Sequence, residues 1–273
     1  MTASASNPGA VERYRRDYMR LRDREGRGAG GKDELLSLPY LVDGAMAQQW
    51  QVHARSFRTF MRRVVSPMAK RSGRSLDVLD LGAGNGWLCY RLALEGHRPV
   101  ATDLRLDVVD GLGAGAPYRH HLDRMFARVA TRFDTLPFGD HSFDLAVFVS
   151  SLHCTSNLDA TIGEVARVVR PGGRIAVLDS PFYRTEAIGE AMVAERERAT
   201  RVHLGELADG LLALDSIEFL TRNRLAQASA ACSARWRRHR VLYPLWYELR
   251  PLKAWLHRKR PPSRFDLWEG LIP

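Results

Sequence analysis

Residues 79–86 read LDLGAGNG, and this short run constrains the chain more than any other. The apolar lead-in at 76–81 predicts a buried strand, and the spacing of WLCYRLALE at 87–95 predicts a helix. Between them Gly82, Gly84 and Gly86 fall at alternate positions. Glycine at a strand-to-helix turn accepts φ > 0 and lets a ligand come against bare backbone. A dinucleotide fingerprint would put its third glycine at 87, where this chain has Trp87, too bulky for a pyrophosphate seat. That disfavours a nicotinamide-dependent reductase. Asp80 adds a carboxylate at the strand end, which repels phosphate and suits a cationic amino group. The loop favours a ligand with an ammonium group and no phosphate, although such turns also close αβ units that bind nothing.

Residues beyond the helix sharpen this reading. A second strand is predicted over 98–102 and ends in Asp103, about 20 residues past the loop, where an acid takes ribose hydroxyls. Asp103 can equally cap a helix over 104–109. RFDTLPF at 132–138 precedes an apolar run at 142–149, predicted as a buried strand, and SSLHC leaves it at 150–154. A helix over 158–169 ends at Pro171-Gly172-Gly173, and a further apolar strand comes after it at 174–178.

Taken together, LDLGAGNG, the Thr102-Asp103 pair, LPFGDHSFDLAV and VVRPGGRIAVLD resemble the class I S-adenosylmethionine-dependent methyltransferases over about residues 76–180. The resemblance implies an α/β, Rossmann-like, seven-stranded, mostly parallel sheet with helices on both faces and an antiparallel last strand. It implies S-adenosyl-L-methionine as cofactor. Asp80 and the backbone of Gly82, Ala83, Gly84 and Gly86 would then hold the methionine moiety, and Asp103 and Leu104 the ribose side. Many relatives carry an acid four positions before Leu-Pro-Phe, where it meets the adenine amino group. Here that position is Arg132, so the adenine contact passes to Asp134 or the backbone of Phe133, with Ser150 at the end of the following strand. Asp134 can equally be a solvated loop carboxylate.

The resemblance divides the chain into an N-terminal helical cap (1–75), the cofactor-binding core (76–182), a helical insertion on the substrate side (183–231) and C-terminal strands with a basic helix (232–273). The cap opens with a polar tail, a charged helix over 11–24 and a glycine-rich break. Its second half carries Trp50, His53, Phe57 and Phe60 on related helical faces, read as core side chains rather than a ligand box. In such sheets ligands bind beyond the C-terminal strand ends, so the cap and the insertion are the expected lid. Tyr40, Trp50 and Tyr183 are the expected acceptor contacts.

The net charge of +10 is concentrated. Residues 235–264 hold ten Lys or Arg and one acid, Glu248, interleaved with Trp236, Trp246 and Trp255. The resemblance places a sixth strand at 233–242, a helix at 245–259 broken near Pro251, and a last strand at 264–267. On that layout Leu245, Leu249, Leu252 and Leu256 pack on the sheet and the charges are solvated. The other reading is a weak contact with an anionic membrane surface or acidic substrate; nucleic acid is not expected. No stretch reaches the roughly 18 apolar residues of a membrane span, and no apolar signal core opens the chain. Cys89, Cys154 and Cys232 lack metal-ligand spacing and read as reduced cytoplasmic thiols; no metal is expected.

The chemistry implied is in-line displacement at a sulfonium methyl by an oxygen, nitrogen, sulfur or carbon nucleophile of a small molecule. His153, just past the fourth strand, is the expected base where the nucleophile must lose a proton, or else it shapes the pocket; His120 and His121 are weaker candidates. Ser150 and Ser151 lack a nucleophile elbow, which removes a hydrolase. A cofactor-binding scaffold or sensor without catalysis is the alternative. Neither the acceptor nor the oligomeric state is written in the chain.

Overall fold

The computed structural model describes residues 8–25 and 31–273. The polar tail at 1–7 and the glycine-rich break at 26–30 lie outside them. The strands are β1 (Asp77–Leu81), β2 (Arg98–Asp103), β3 (Ala127–Ala130), β4 (Phe143–Val149), β5 (Val169–Leu178), β6 (Arg235–His239) and β7 (Leu267–Leu271). They form one sheet in the order β3-β2-β1-β4-β5-β7-β6. Neighbours pair in parallel except β7, which is antiparallel to both β5 and β6. The order reverses between β1 and β4, and the crevice outside their C-terminal ends is where such a sheet binds ligands.

Ahead of β1 lie α1 (Pro8–Arg24), α2 (Gly31–Ser37), α3 (Ala47–Phe60) and α4 (Ser66–Ser72); α5 (Trp87–Leu94) follows β1 and α6 (Leu158–Val168) follows β4. The insertion contains α7 (Glu186–Leu204), α8 (Leu207–Leu211) and α9 (Arg222–Ala228), and α10 (Leu245–Glu248) and α11 (Arg250–Leu256) lie between the last two strands. β4 is apolar almost throughout, as a strand covered on both faces must be. One face packs with Trp50, Phe57, Phe60, Trp87 and Leu88 of α3 and α5; the other packs with Ile162, Val165 and Leu225 of α6 and α9. Asn157, Thr185 and Thr221 cap α6, α7 and α9 by accepting from backbone N–H groups three residues on.

An ion-pair cluster ties the strand beginnings together, opposite the binding crevice. Arg74 grips Asp144 with two hydrogen bonds of 2.9 and 2.7 Å. Arg170 bridges Asp144 and Asp77 at 2.8 and 3.1 Å, and Arg98 reaches Asp77 at 2.7 Å. The starts of β1, β2, β4 and β5 are thereby latched to one another.

The expected architecture is present, with four local corrections. Residues 104–109 form no helix: Asp107 Oδ1 accepts from the N–H groups of Val109, Asp110 and Gly111, turning the chain into a 3-10 segment over Leu112–His120. Asp103 is therefore no helix cap there. β5 starts at Val169 and runs through Pro171-Gly172-Gly173, because a register shift against Phe143 and Leu145 absorbs the extra residues. The last strand lies at Leu267–Leu271 rather than 264–267, since the Arg264 backbone bridges Phe182 and its guanidinium is held by Glu248. Finally, the C-terminal helix breaks at Leu249, ahead of Pro251, and its leucines do not pack on the sheet. Tyr247 is the side chain that α10 and α11 bury; Leu245, Leu249, Leu252 and Leu256 face outward.

Candidate functional site

The glycine loop leaves β1 with Gly82, Gly84 and Gly86 at φ of 77°, 53° and 77°. A Cβ on Gly82 would stand 2.5 Å from Cβ of Ser151, and one on Gly84 would stand 3.2 Å from the Asp110 carbonyl. Both the backbone conformation and the space demand glycine. The N–H groups of Gly82 and Ala83 donate to the Thr102 carbonyl at 2.8 and 2.9 Å, pinning the turn between β1 and β2. Gly86 then leads into α5, and Asn85 Oδ1 accepts from the Trp87 N–H at 3.1 Å.

Asp80 and Asp103 stand at the C-terminal ends of neighbouring strands, both buried. One oxygen of Asp80 faces the Cys89 thiol at 3.4 Å, while its Oδ1 is buried with no hydrogen-bond partner among the described residues. Burial first, then the nearby Asp103, outweigh the thiol contact and push Asp80 up to about 7. A buried acceptor without a donor is costly, and an ammonium group would relieve it. Asp103 accepts from the N–H groups of Gly84 and Arg105 at 2.8 Å each. Each carboxylate oxygen can accept twice, so two acceptor positions remain for hydroxyl groups. Burial raises its pKa, and Arg105 opposes the rise.

On the third side, the Phe133 ring packs edge-on against Phe148 and comes within 3.3 Å of the Gly82 Cβ position. Asp134 is held by Arg132 through two 2.9 Å hydrogen bonds, which lower its pKa. Its carboxylate is taken up by the neighbour that replaces the usual acid. Ser150, at φ 56°, is exposed, whereas Ser151 is buried and donates to the Leu81 carbonyl at 2.5 Å. Ser151 is thus the serine that touches the loop. Sequence reading missed it because both serines sit at the same strand end.

The N-terminal helix α1 contacts this edge. Arg15 donates to the Leu104 carbonyl at 2.6 Å, and the Arg105 guanidinium lies 4.6 Å from the Tyr18 ring centre. On its far side α1 meets the insertion so closely that a Cβ on Gly210 of α8 would strike the Asp17 carboxylate. The two segments expected to form a lid are in contact with each other.

The expected acceptor residues fall into two groups. Trp50 joins Trp87 and His53, with ring centres 5.7 and 5.0 Å away. Tyr40 is one ring further out, exposed, against Phe57 and beside Arg58 and Arg91. Tyr183 packs against Phe219 of the insertion, and its hydroxyl takes a 3.1 Å hydrogen bond from Arg260. His153 lies on the 3-10 turn after β4, with Nδ1 3.4 Å from Ser180 Oγ. Its desolvated surroundings, aided by Arg196, push it down to about 4. His53, expected as core, is more than that. Its Nδ1 lies 2.7 Å from Asp179 Oδ2 at the end of β5, and Ser56 donates to the other Asp179 oxygen and contacts the Tyr243 hydroxyl. Only the pairing of α3 with β5 brings His53 and Asp179 together, so local pattern carried no signal of it.

Known proteins resemble this chain chiefly over the same core. Residues 79–177 match a family described as a methyltransferase domain. A demethylmenaquinone methyltransferase of Mycobacterium bovis is 37% identical over 111 residues, covering 41% of this chain and 44% of that protein. A malonyl-[acyl-carrier protein] O-methyltransferase of Methylococcus capsulatus is 33% identical over 160 residues, covering 58% and 51%. The chain thus spans about half the length of these curated relatives. The 1,6-didemethyltoxoflavin-N1-methyltransferase of Burkholderia thailandensis shares the fold at TM-score 0.52 and 17% identity, over 100% of this chain and 93% of that one.

Proposed function

We propose that this chain, whose residues 79–177 match a methyltransferase domain, is a class I S-adenosylmethionine-dependent methyltransferase that methylates a small-molecule acceptor in the cytoplasm. The observation that carries this reading is the buried Oδ1 of Asp80, unpartnered among the described residues, beside a left-handed glycine loop, with Asp103 one strand away. The residues fit the cofactor. Asp80 and the loop backbone would hold its amino acid end, Asp103 its ribose, and the Phe133 side and Leu104 its base. Bound, S-adenosylmethionine supplies an electrophilic methyl on sulfur, already an excellent leaving group.

The rest of the work falls to this chain. α1 and the α7–α8 insertion exclude water, and alignment in a dry pocket supplies up to about 7–11 kcal/mol of the barrier. The Trp50, His53 and Trp87 cluster and Tyr183 would line the acceptor side. For an acceptor that must lose a proton, we assign its removal to His53. The Asp179 carboxylate would orient that imidazole through its Nδ1. His153 resists protonation in its desolvated place beside Arg196 and would shape the pocket.

The test is calorimetry of S-adenosylmethionine with chelator-treated protein, followed by S-adenosylhomocysteine production. The acceptor panel starts from those named in the relatives: demethylmenaquinone, the malonyl carrier protein and didemethyltoxoflavin. One binding site per chain and turnover with any acceptor support the proposal. Equal or better binding of a nicotinamide dinucleotide overturns it, and cofactor binding with no turnover across a broad panel favours the scaffold reading.

A further inference from the structure

Seven large apolar side chains lie exposed within fifteen residues of the C-terminal part: Leu242, Leu245, Trp246, Leu249, Leu252, Trp255 and Leu256. Single exposed leucines are ordinary, but a contiguous run of this kind marks a contact surface. Its exposure does not come from a loose segment. Tyr243 and Tyr247 are buried beneath it, and the Arg250 guanidinium sits 3.6 Å from the Tyr247 ring centre while donating to the Ser263 carbonyl. Arg264 grips Glu248 at 3.0 and 3.2 Å, and the Phe265 N–H donates to the Tyr247 hydroxyl at 3.0 Å. The unit is anchored by its underside and turns its leucines and tryptophans to water.

The charge around this face has one sign. Glu248 is the only acid between residues 240 and 264, and Arg264 already neutralises it. Lys253, Arg258 and Lys259 are exposed and have no acidic partner among the described residues. Leu252, Trp255 and Leu256 share one face of α11 at i, i+3 and i+4, and Lys253 and the Arg258-Lys259 pair flank them. Tryptophan rings with flanking unpaired cations match the interface of an anionic bilayer: ring and leucine in the headgroup boundary, cations on the phosphates.

We propose that α10, α11 and the following basic turn dock this protein on anionic membrane surfaces. The docking face is continuous with the lid. Arg260 leaves it to hold Glu195 of α7 at 2.6 Å and the Tyr183 hydroxyl at 3.1 Å. A docked molecule would therefore set the Tyr183 side of its lid close to the lipid, where an apolar acceptor of the proposed methyl transfer would reside. The docking itself does not depend on methyl transfer.

The test is flotation of the purified full chain with vesicles of phosphatidylcholine alone or with added phosphatidylglycerol, without cofactor or acceptor, at low and moderate salt. The expected result is binding to the anionic vesicles only, weakened by salt, with a blue shift of tryptophan fluorescence. The triple charge reversal Lys253→Glu, Arg258→Glu and Lys259→Glu should weaken binding at least about 100-fold, since each cation contributes about 1 kcal/mol near such a surface. Trp255→Ser with Leu256→Ser should remove the remainder. All five positions are exposed, so folding and S-adenosylmethionine affinity, measured in parallel, should be unchanged. Failure to bind anionic vesicles at low salt overturns the proposal. So does binding that neither variant weakens, or a dimer that Trp255→Ser dissociates while vesicles are ignored.

Discussion

His53 and Asp179 lie 126 residues apart in the chain and meet at 2.7 Å, both buried, where α3 crosses the end of β5. An imidazole held by a carboxylate at one ring nitrogen is oriented in one tautomer. If His53 accepts the acceptor's proton, His53→Gln should lower kcat by about 10²–10⁴ while leaving S-adenosylmethionine affinity intact. Acceptors that lose no proton should react normally. Steady-state kinetics with both acceptor types checks this. A lowered Tm with unchanged kcat would make the pair structural only.

Asp103 should control cofactor affinity. Removing its hydrogen bonds to the ribose, partly replaced by water, should weaken binding by at least roughly tenfold in Asp103→Ala. Calorimetry measures it, with circular dichroism to confirm the fold. Unchanged affinity would confine Asp103 to holding the Gly84 and Arg105 backbone.

Asp80 makes a pH prediction. Its folded-state pKa is about 7 against an ordinary 3.8, so the folded protein binds the extra proton more tightly than the unfolded chain. The resulting stability is full below about pH 4 and is lost as pH rises toward 7. Thermal unfolding across this window should show the loss in ligand-free protein and not in Asp80→Asn. Cofactor affinity should change the opposite way, rising with pH as the carboxylate ionises.

Gly82→Ala should destabilise the protein by about 1–2 kcal/mol from the left-handed backbone alone, before the contact with Ser151 is counted. Urea unfolding of Gly82→Ala with and without Ser151→Gly separates the two contributions. Complete rescue by the double variant would show that the backbone term is negligible.

The lid should report ligand binding. Amide hydrogen exchange in α1 and α8 should slow when S-adenosylhomocysteine is added, because Arg15 and Tyr18 press on the Leu104–Arg105 edge. Indifference of both helices would remove the lid.

The sheet was legible because its strands are short apolar runs punctuated by glycine and proline, and periodicity reports burial directly. Asp80, Asp103 and the glycines were legible because their spacing is local to two strands. Where reading failed, a neighbour distant in sequence decided the outcome. His53 is buried as its pattern predicts, but its partner Asp179 comes from beyond β5, where that pattern does not reach. Leu245 to Leu256 have the spacing of a packed helix, yet Pro251 divides them and Tyr247 takes the buried place. Residues 104–109 lose their helix to the carboxylate of Asp107, a competition between side chain and backbone that hydrophobic pattern does not register.

The ion-pair latch at the strand beginnings has a further consequence, because it and the binding edge share β1. Arginines hold Asp77 and Asp144 ionised below the usual carboxylate range against the cost of their burial. Their stabilisation is present above about pH 4 and fails as acid protonates them. Asp80, three residues along the same strand, has the opposite slope. One five-residue strand therefore carries two opposing proton sensors, one toward each end. Without ligand, the two groups pull this strand's contribution to stability in opposite directions as pH changes. A bound ammonium group would silence the sensor at Asp80 and leave only the latch, so the cofactor would remove the alkaline-side loss that this strand otherwise contributes.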